Sequence, residues 1–191
     1  MSAIRRAVFL DRDGTLNVKA PEGEYVTSPA DLRLLPGAAE AVRRLNEAGL
    51  FVAVVTNQRG IARGLLSLRA YTQIMARLAA LLATHGAHLD AVYVCPHEIA
   101  ACDCRKPAPG LLFRAVGEHP DIDLRQSVIV GDAESDVEAG RRAGIWTIRL
   151  SAAPVLSRAD HVACDLAAAT SLVIGADHQD STGWDSLAQV S

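Results

Sequence analysis

The sequence predicts an α/β fold: a doubly wound, Rossmann-like parallel sheet with helices on both faces. Three observations carry this. Short, largely apolar runs at Ala7–Leu10, Leu50–Val55 and Ser127–Val130 suit strands buried on both faces. The runs lead into polar groups, at Asp11, at Thr56 and, after Gly131, at Asp132. Between them lie segments with apolar residues every three or four positions, so that strands alternate with helices.

Taken in order, β-prone Ala7–Leu10 ends at Asp11-Arg12-Asp13-Gly14-Thr15, where Gly14 permits a sharp turn. A polar loop over 17–31 follows, punctuated by Pro21, Gly23 and Pro29. Pro36-Gly37 opens a helix carrying Ala38, Ala41, Val42, Leu45 and Ala48 on one face, with Gly49 as its stop. The second strand ends at Thr56-Asn57-Gln58, and Gly60 and Gly64 keep the next loop open. Ser67 caps a helix whose core stripe is Leu68, Tyr71, Ile74, Met75, Leu78, Leu81 and Leu82. A third strand spans 90–94, and Pro107-Ala108-Pro109-Gly110 leads into a helix through Val116. The fourth strand is followed by a helix over 134–143 stopped by Gly144, and a fifth strand at 145–148. A weak strand at 161–162 and a helix over 166–173 complete a domain of residues 1–174, leaving 175–191 as a loose polar tail.

With 191 residues and half of them apolar, the chain is long enough for one well-filled core. Its 19 basic and 22 acidic side chains are interspersed, for a net charge of −3. That balance excludes a polyanion-binding surface, so no nucleic-acid partner is expected. The N-terminus lacks the apolar core of a signal peptide, and no apolar run approaches the roughly 18–20 residues a membrane span needs. A cytoplasmic monomer with no membrane partner is the expectation.

Asp11 and Asp13 cannot be ordinary core, because a buried unpaired carboxylate costs several kcal/mol or more. Two negative groups this close call for a positive one, most simply a divalent cation. The plain alternative is a solvated strand-end turn. The other strand ends decide between them: Thr56 and Asn57, then Asp132 with Asp136 a turn later, and Lys106 before a helix, all on one edge of the sheet. Carboxylates in such numbers suit Mg²⁺, which keeps open positions for a phosphate. A lysine and a hydroxyl add donors for anionic oxygens. The set asks for phosphoryl chemistry.

A second cluster is Cys95-Pro96-His97 and Cys102-Asp103-Cys104. Three thiols and an imidazole match a closed tetrahedral Cys₃His site for structural Zn²⁺. Free core cysteines or a Cys102–Cys104 bridge are the alternatives. The site would order a loop over 95–104 from which Arg105 and Lys106 directly follow. Cys164 stands apart and reads as a small core residue.

The ordered motifs Asp11-Arg12-Asp13-Gly14-Thr15, Thr56-Asn57, Lys106-Pro107 and Gly131-Asp132 with Asp136 resemble those of the haloacid dehalogenase superfamily of phosphatases, over about residues 7–150. The resemblance implies that Asp11 is the nucleophile, forming an aspartyl phosphate, and Asp13 the general acid and then base. A general acid must start protonated, so the pKa of Asp13 is expected to be raised. Thr56 and Lys106 would hold the phosphoryl oxygens. Asp11, Asp132 and the backbone carbonyl of Asp13 would hold Mg²⁺, with Asp136 supporting them or starting its helix.

Within the superfamily, the zinc loop, the run Thr56–Gly64 and Cys102–Pro107 resemble the D-glycero-D-manno-heptose 1,7-bisphosphate 7-phosphatase and histidinol-phosphate phosphatase family. The implied reaction is loss of the 7-phosphate from the heptose bisphosphate, in nucleotide-activated heptose synthesis. Histidinol phosphate or another small phosphomonoester is the alternative substrate, and a phosphate-sensing, receiver-like module that does not turn over is the alternative of another class. Arg105 would bind the second phosphate. Arg12, Glu22, Gly23, Glu24, Tyr25, Asn57, Gln58 and Arg59 would contact the phosphosugar. Many heptose enzymes carry a basic residue after the fourth-motif aspartate, where this chain has Ala133. Both usual cap positions hold only loops, so a capless domain is expected.

Overall fold

The computed structural model describes residues 4–175. Six strands, β1 (Ala7–Leu10), β2 (Phe51–Asn57), β3 (Ala91–Cys95), β4 (Val128–Gly131), β5 (Trp146–Leu150) and β6 (His161–Ala163), form one sheet. Its order is β3-β2-β1-β4-β5-β6, with every neighbouring pair parallel. The chain builds outward from β1 through β2 to β3, then crosses back to β4 on the other side of β1. The carboxyl end of β1 therefore lies at the point where the winding reverses, the place open α/β sheets use for ligands.

Strand alternation divides the core. Val8, Leu10, Val52, Val54, Val128 and Val130 face one layer, with side chains of α1 (Ala38–Glu47), α3 (Leu68–Ala83) and α6 (Leu166–Gly175). Ala7, Phe9, Phe51, Ala53, Val55 and Ile129 face the other, with Leu111, Leu112 and Ala115 of α4 (Gly110–Glu118). Ala143, the last residue of α5 (Glu134–Ala143), packs on that second layer. All four residues of β1 are buried, and each large apolar side chain so placed contributes about 1.5–3 kcal/mol.

The helix punctuation follows the chemistry of the ends. Ser67 accepts from the Ala70 amide, and Gly144 closes α5 in the left-handed conformation at φ 70°. Several expectations are revised. Residues 58–64 are not an open loop: α2 (Arg59–Ala62) forms there, tied to the Cys/His loop by a bond from the Ala62 amide to the Pro96 carbonyl at 3.1 Å. Leu68 is 62% exposed, because it opens α3 ahead of the turns that meet the sheet. Cys164 is exposed rather than core. It lies in the short link after β6, beside Asp165, whose carboxylate accepts from the Ala168 amide of α6. Gly175, the last described residue, lies in α6, and 176–191, where the rest of the tail was expected, lie outside the described residues.

Between β1 and α1, and between β3 and α4, the described chain is loop, apart from isolated bridges such as Asn17 to Leu34. No described helix is long and apolar enough to cross a membrane.

Candidate active site

The nucleophile candidate is held by the sheet itself. The Asp11 amide donates to the Val130 carbonyl at 2.9 Å, continuing the β1–β4 ladder one residue past the strand. Its carboxylate turns into a cleft of about 730 Å³ lined also by Asp13, Thr56, Arg105, Lys106, Asp132 and Asp136, with the loop over residues 19–26 opposite. Lys106, 4% exposed, spans the floor. Its ammonium donates to Asp11 Oδ1 at 2.8 Å and to the Val55 carbonyl at 2.6 Å, and pairs with Asp136 Oδ1 at 2.5 Å. Burial alone would favour the neutral amine, but the two carboxylates outweigh it and raise the lysine above its ordinary pKa. Burial pushes Asp11 up to about 6, opposed by Lys106 and reinforced by Asp136 and Asp13.

Lys106 is itself clamped. Asn57 donates from Nδ2 to the Lys106 carbonyl at 2.9 Å, and its Oδ1 accepts from the Lys106 amide at 3.1 Å. Both polar ends of the amide thus fix a neighbour's backbone, while Asn57, expected to contact substrate, also lines the cleft. Asn57→Ala should lower kcat about tenfold or more through misplacement of Lys106, with KM changed less than about threefold. Steady-state kinetics beside a melting curve check this, and a KM effect alone would contradict the clamp.

Asp13 is held differently from expectation. Arg12, 0% exposed, donates from Nη2 to both its oxygens at 2.8 and 2.7 Å. Asn17 and Gln58 add bonds of 2.9 Å each. Burial works to raise the pKa of Asp13, but Arg12, Asn17 and Gln58 together outweigh it and hold the carboxyl below its usual value. These partners favour the carboxylate form of Asp13, opposite in direction to the raised pKa expected of a general acid. Arg12 accordingly supports Asp13 from beneath instead of facing a substrate. Gln58, 1% exposed, also donates to Thr56 Oγ1 at 2.9 Å and does not line the cleft.

At the end of β4, Asp132 lies over Gly14. A Cβ at Gly14, where φ is 92°, would come within 2.5 Å of the Asp132 carboxylate, so only glycine fits there. Asp11, Asp132 and Asp136 bring ligand atoms within 4.8 Å of one another. Asp132 Oδ1 is buried with no hydrogen-bond partner, which suits a cation ligand. Asp136 is otherwise occupied: one oxygen pairs with Lys106 and the other accepts from the Ala133 amide at 3.1 Å, capping α5. Its role as counter-ion to Lys106 was not anticipated; its place in the first turn after Gly131-Asp132 was the available signal. Lys19, whose ammonium meets Asp132 Oδ2 at 2.8 Å, had no sequence signal.

On the opposite wall, Glu22, Gly23, Glu24 and Tyr25 line the cleft, with Arg59 and Arg105. A Cβ on Gly60 would stand 3.0 Å from the Tyr25 ring, so the loop rests directly on α2. Arg59 pairs with Glu98 at 3.4 Å, and Arg105 keeps Nη1 buried without a partner.

The second cluster closes as a unit. Cys95 Sγ lies 3.6 Å from His97 Nδ1 and 3.5 Å from Cys102 Sγ; Cys104 Sγ lies 3.3 Å from both His97 Nδ1 and Cys102 Sγ. None of these cysteines is in a disulfide. Tetrahedral zinc with bonds of about 2.1–2.3 Å needs donor separations of about 3.5–3.8 Å, close to this arrangement.

A buried aspartate on the central strand, a second carboxylate two residues on, and a lysine shared with a third define a haloacid-dehalogenase-type hydrolase. The HAD-hydrolase-like family model matches residues 103–169. The D-glycero-beta-D-manno-heptose-1,7-bisphosphate 7-phosphatase of Rhodopseudomonas palustris is 41% identical over 153 residues, covering 75% of this chain and 83% of that one. The D-glycero-alpha-D-manno-heptose-1,7-bisphosphate 7-phosphatase of Mycobacterium tuberculosis is 42% identical over 132 residues, 69% of each chain. The crystal structure of D,D-heptose 1,7-bisphosphate phosphatase from B. bronchiseptica, complexed with magnesium and phosphate, superposes with a TM-score of 0.80 at 33% identity, covering 89% of this chain and 98% of that one. The chain belongs to the heptose 1,7-bisphosphate 7-phosphatase family of these hydrolases, and it is a phosphatase.

Proposed function

We propose that this protein hydrolyses the 7-phosphate of D-glycero-D-manno-heptose 1,7-bisphosphate through an aspartyl-phosphate intermediate, in nucleotide-activated heptose synthesis. The observation that carries the reading is the shared lysine: Lys106 bonded to Asp11 and Asp136 on the floor of a cleft that Asp13 also lines. Asp11 Oδ attacks phosphorus, and Lys106 and Thr56 take up the charge on the phosphoryl oxygens. Asp13 gives a proton to the departing sugar oxygen, then takes one from the water that hydrolyses the intermediate. Its carboxylate form suits the second step; an incoming anionic substrate raises its proton affinity for the first.

Asp11, Asp132 and the Asp13 carbonyl are the residues that would hold Mg²⁺, supported by the unpartnered Asp132 Oδ1. When bound, that cation supplies Lewis-acid stabilisation of phosphoryl charge. Zn²⁺ in the Cys95, His97, Cys102 and Cys104 cluster is structural. Arg105, with a buried and unpartnered guanidinium nitrogen, suits the second phosphate through a bidentate contact. Arg59 and the loop of Glu22, Gly23, Glu24 and Tyr25 hold the sugar. The chain acts as a capless, cytoplasmic monomer; its four unpaired thiols fit a reducing compartment.

Phosphate release from both anomers of the bisphosphate, beside histidinol phosphate, tests the substrate. A preference of about 100-fold in kcat/KM for one heptose anomer is expected, worth about 2.7 kcal/mol of transition-state binding. Relatives named for each anomer are equally similar to this chain, so the assay also assigns the anomer. A preference for histidinol phosphate would overturn the substrate and leave the mechanism standing.

A further inference from the structure

Lys19 stands at the start of the loop that forms the cleft's outer wall, yet its ammonium reaches across to Asp132, 113 residues away, at 2.8 Å. The lysine side chain is 57% exposed and the aspartate's 21%, so the pair lies at the open mouth of the site, not in its floor. Lys19 takes one oxygen of the carboxylate and leaves the other, Oδ1, buried and unpartnered, and Asp132 brings a carboxylate oxygen within 4.8 Å of Asp11 and Asp136. Ala133 and Ser135, on the same wall, bring no charge. A lysine ammonium carries three donors and a compact charge, so one bond to Asp132 leaves donors for an anion in the cleft.

This residue has two opposing electrostatic effects. A positive charge bonded to a carboxylate that would also hold a divalent cation repels that cation and shares its ligand. The same charge attracts a phosphoryl group arriving over Asp11. Resting on the phosphatase reading above, we propose that Lys19 is a phosphoryl-binding residue of the cleft mouth that exchanges between Asp132 and the substrate's phosphate. It weakens divalent-cation binding in the free protein and strengthens phosphate binding once the cation is held. The loop that surrounds the sugar is thereby tethered to the metal carboxylate in the free protein and to the phosphate in the complex.

The prediction is a pair of changes of opposite sign. In Lys19→Met, Mg²⁺ measured by calorimetry on the full chain should bind about tenfold tighter. Inorganic phosphate, read from the thermal-shift midpoint of the magnesium-saturated protein, should bind about tenfold more weakly. Lys19→Arg, which keeps the charge, should restore both affinities to within about threefold. A structural role for Lys19 would weaken both ligands together, and an idle surface lysine would move neither. Either result, or a change in one affinity alone, overturns the proposal. Neither titration uses the heptose substrate, so a failed substrate assignment leaves this test intact.

Discussion

Replacing Asp11 by asparagine is expected to reduce phosphate release by about 10⁴-fold or more, equivalent to about 5.5 kcal/mol of transition-state stabilisation. An amide cannot form the acyl phosphate, and two of the neighbouring carboxylates are already engaged: Asp13 is held by Arg12, Asn17 and Gln58, and Asp136 by Lys106 and the Ala133 amide. Folding should survive. Burial already disfavours the charged form of Asp11, and the neutral amide removes that cost while Asp136 continues to balance Lys106. The melting temperature should therefore stay within about 4 °C of the parent, about 1–2 kcal/mol for a domain of this size. Turnover above about 1% of the parent rate would remove Asp11 from the role of nucleophile. A melting temperature lowered by more than that would show instead that the Asp11–Lys106 bond is a net support of the fold.

The second large effect is expected at Cys102→Ser. The alcohol is a poor zinc ligand, so metal content by elemental analysis should fall from about one per chain to below about 0.2. The fold should lose about 4 kcal/mol, or about 8–16 °C in melting temperature. The physical reason is how little else orders this loop. Ile99 is 61% exposed, and apart from the Arg59–Glu98 pair and the cysteines themselves the ties to the body are a few backbone bonds, Gln58 to Cys95, Ala62 to Pro96 and Gly110 to Asp103. Activity should fall as well, because Cys104 is two residues from Lys106. Full zinc occupancy in the variant, or a parent protein purified without zinc, would reject the cluster as a zinc site.

The parts of the molecule legible in the sequence share a cause. β1, β2 and β4 are buried on both faces, so their composition had to be continuously apolar, and the polar residue ending each run had to be at the reactive edge. The Cys/His cluster was legible because its four donors are close in sequence, Cys95 and His97 then Cys102 and Cys104. What could not be read depends on pairings between distant segments. The low pKa of Asp13 needs Gln58 and the buried arrangement of Arg12, and nothing in the string Asp-Arg-Asp says that the arginine folds inward. Asn57 could equally have faced a ligand; its clamp on Lys106 spans 49 residues. Lys19, one of two lysines in the chain, is a loop charge like the many arginines until β4 brings Asp132 to it. Leu68 failed because periodicity finds a helix face but not where the neighbouring layer stops, and Cys164 because the usual burial of a lone cysteine says nothing of its place in a surface link.

The sheet order has a consequence for how the chain must be made. β1 is synthesised first but pairs on one side with β4, whose residues 128–131 emerge last among the strands that build the reactive edge. Until then a nascent chain carries its central strand with one hydrogen-bonding edge open and its apolar faces only partly covered. An open apolar edge is a template for pairing with another chain. The interval between the emergence of β2 and of β4 is therefore when this protein is most exposed to misassembly on the ribosome. Substitutions that weaken β4 should show themselves as lost yield before they show themselves as lost rate.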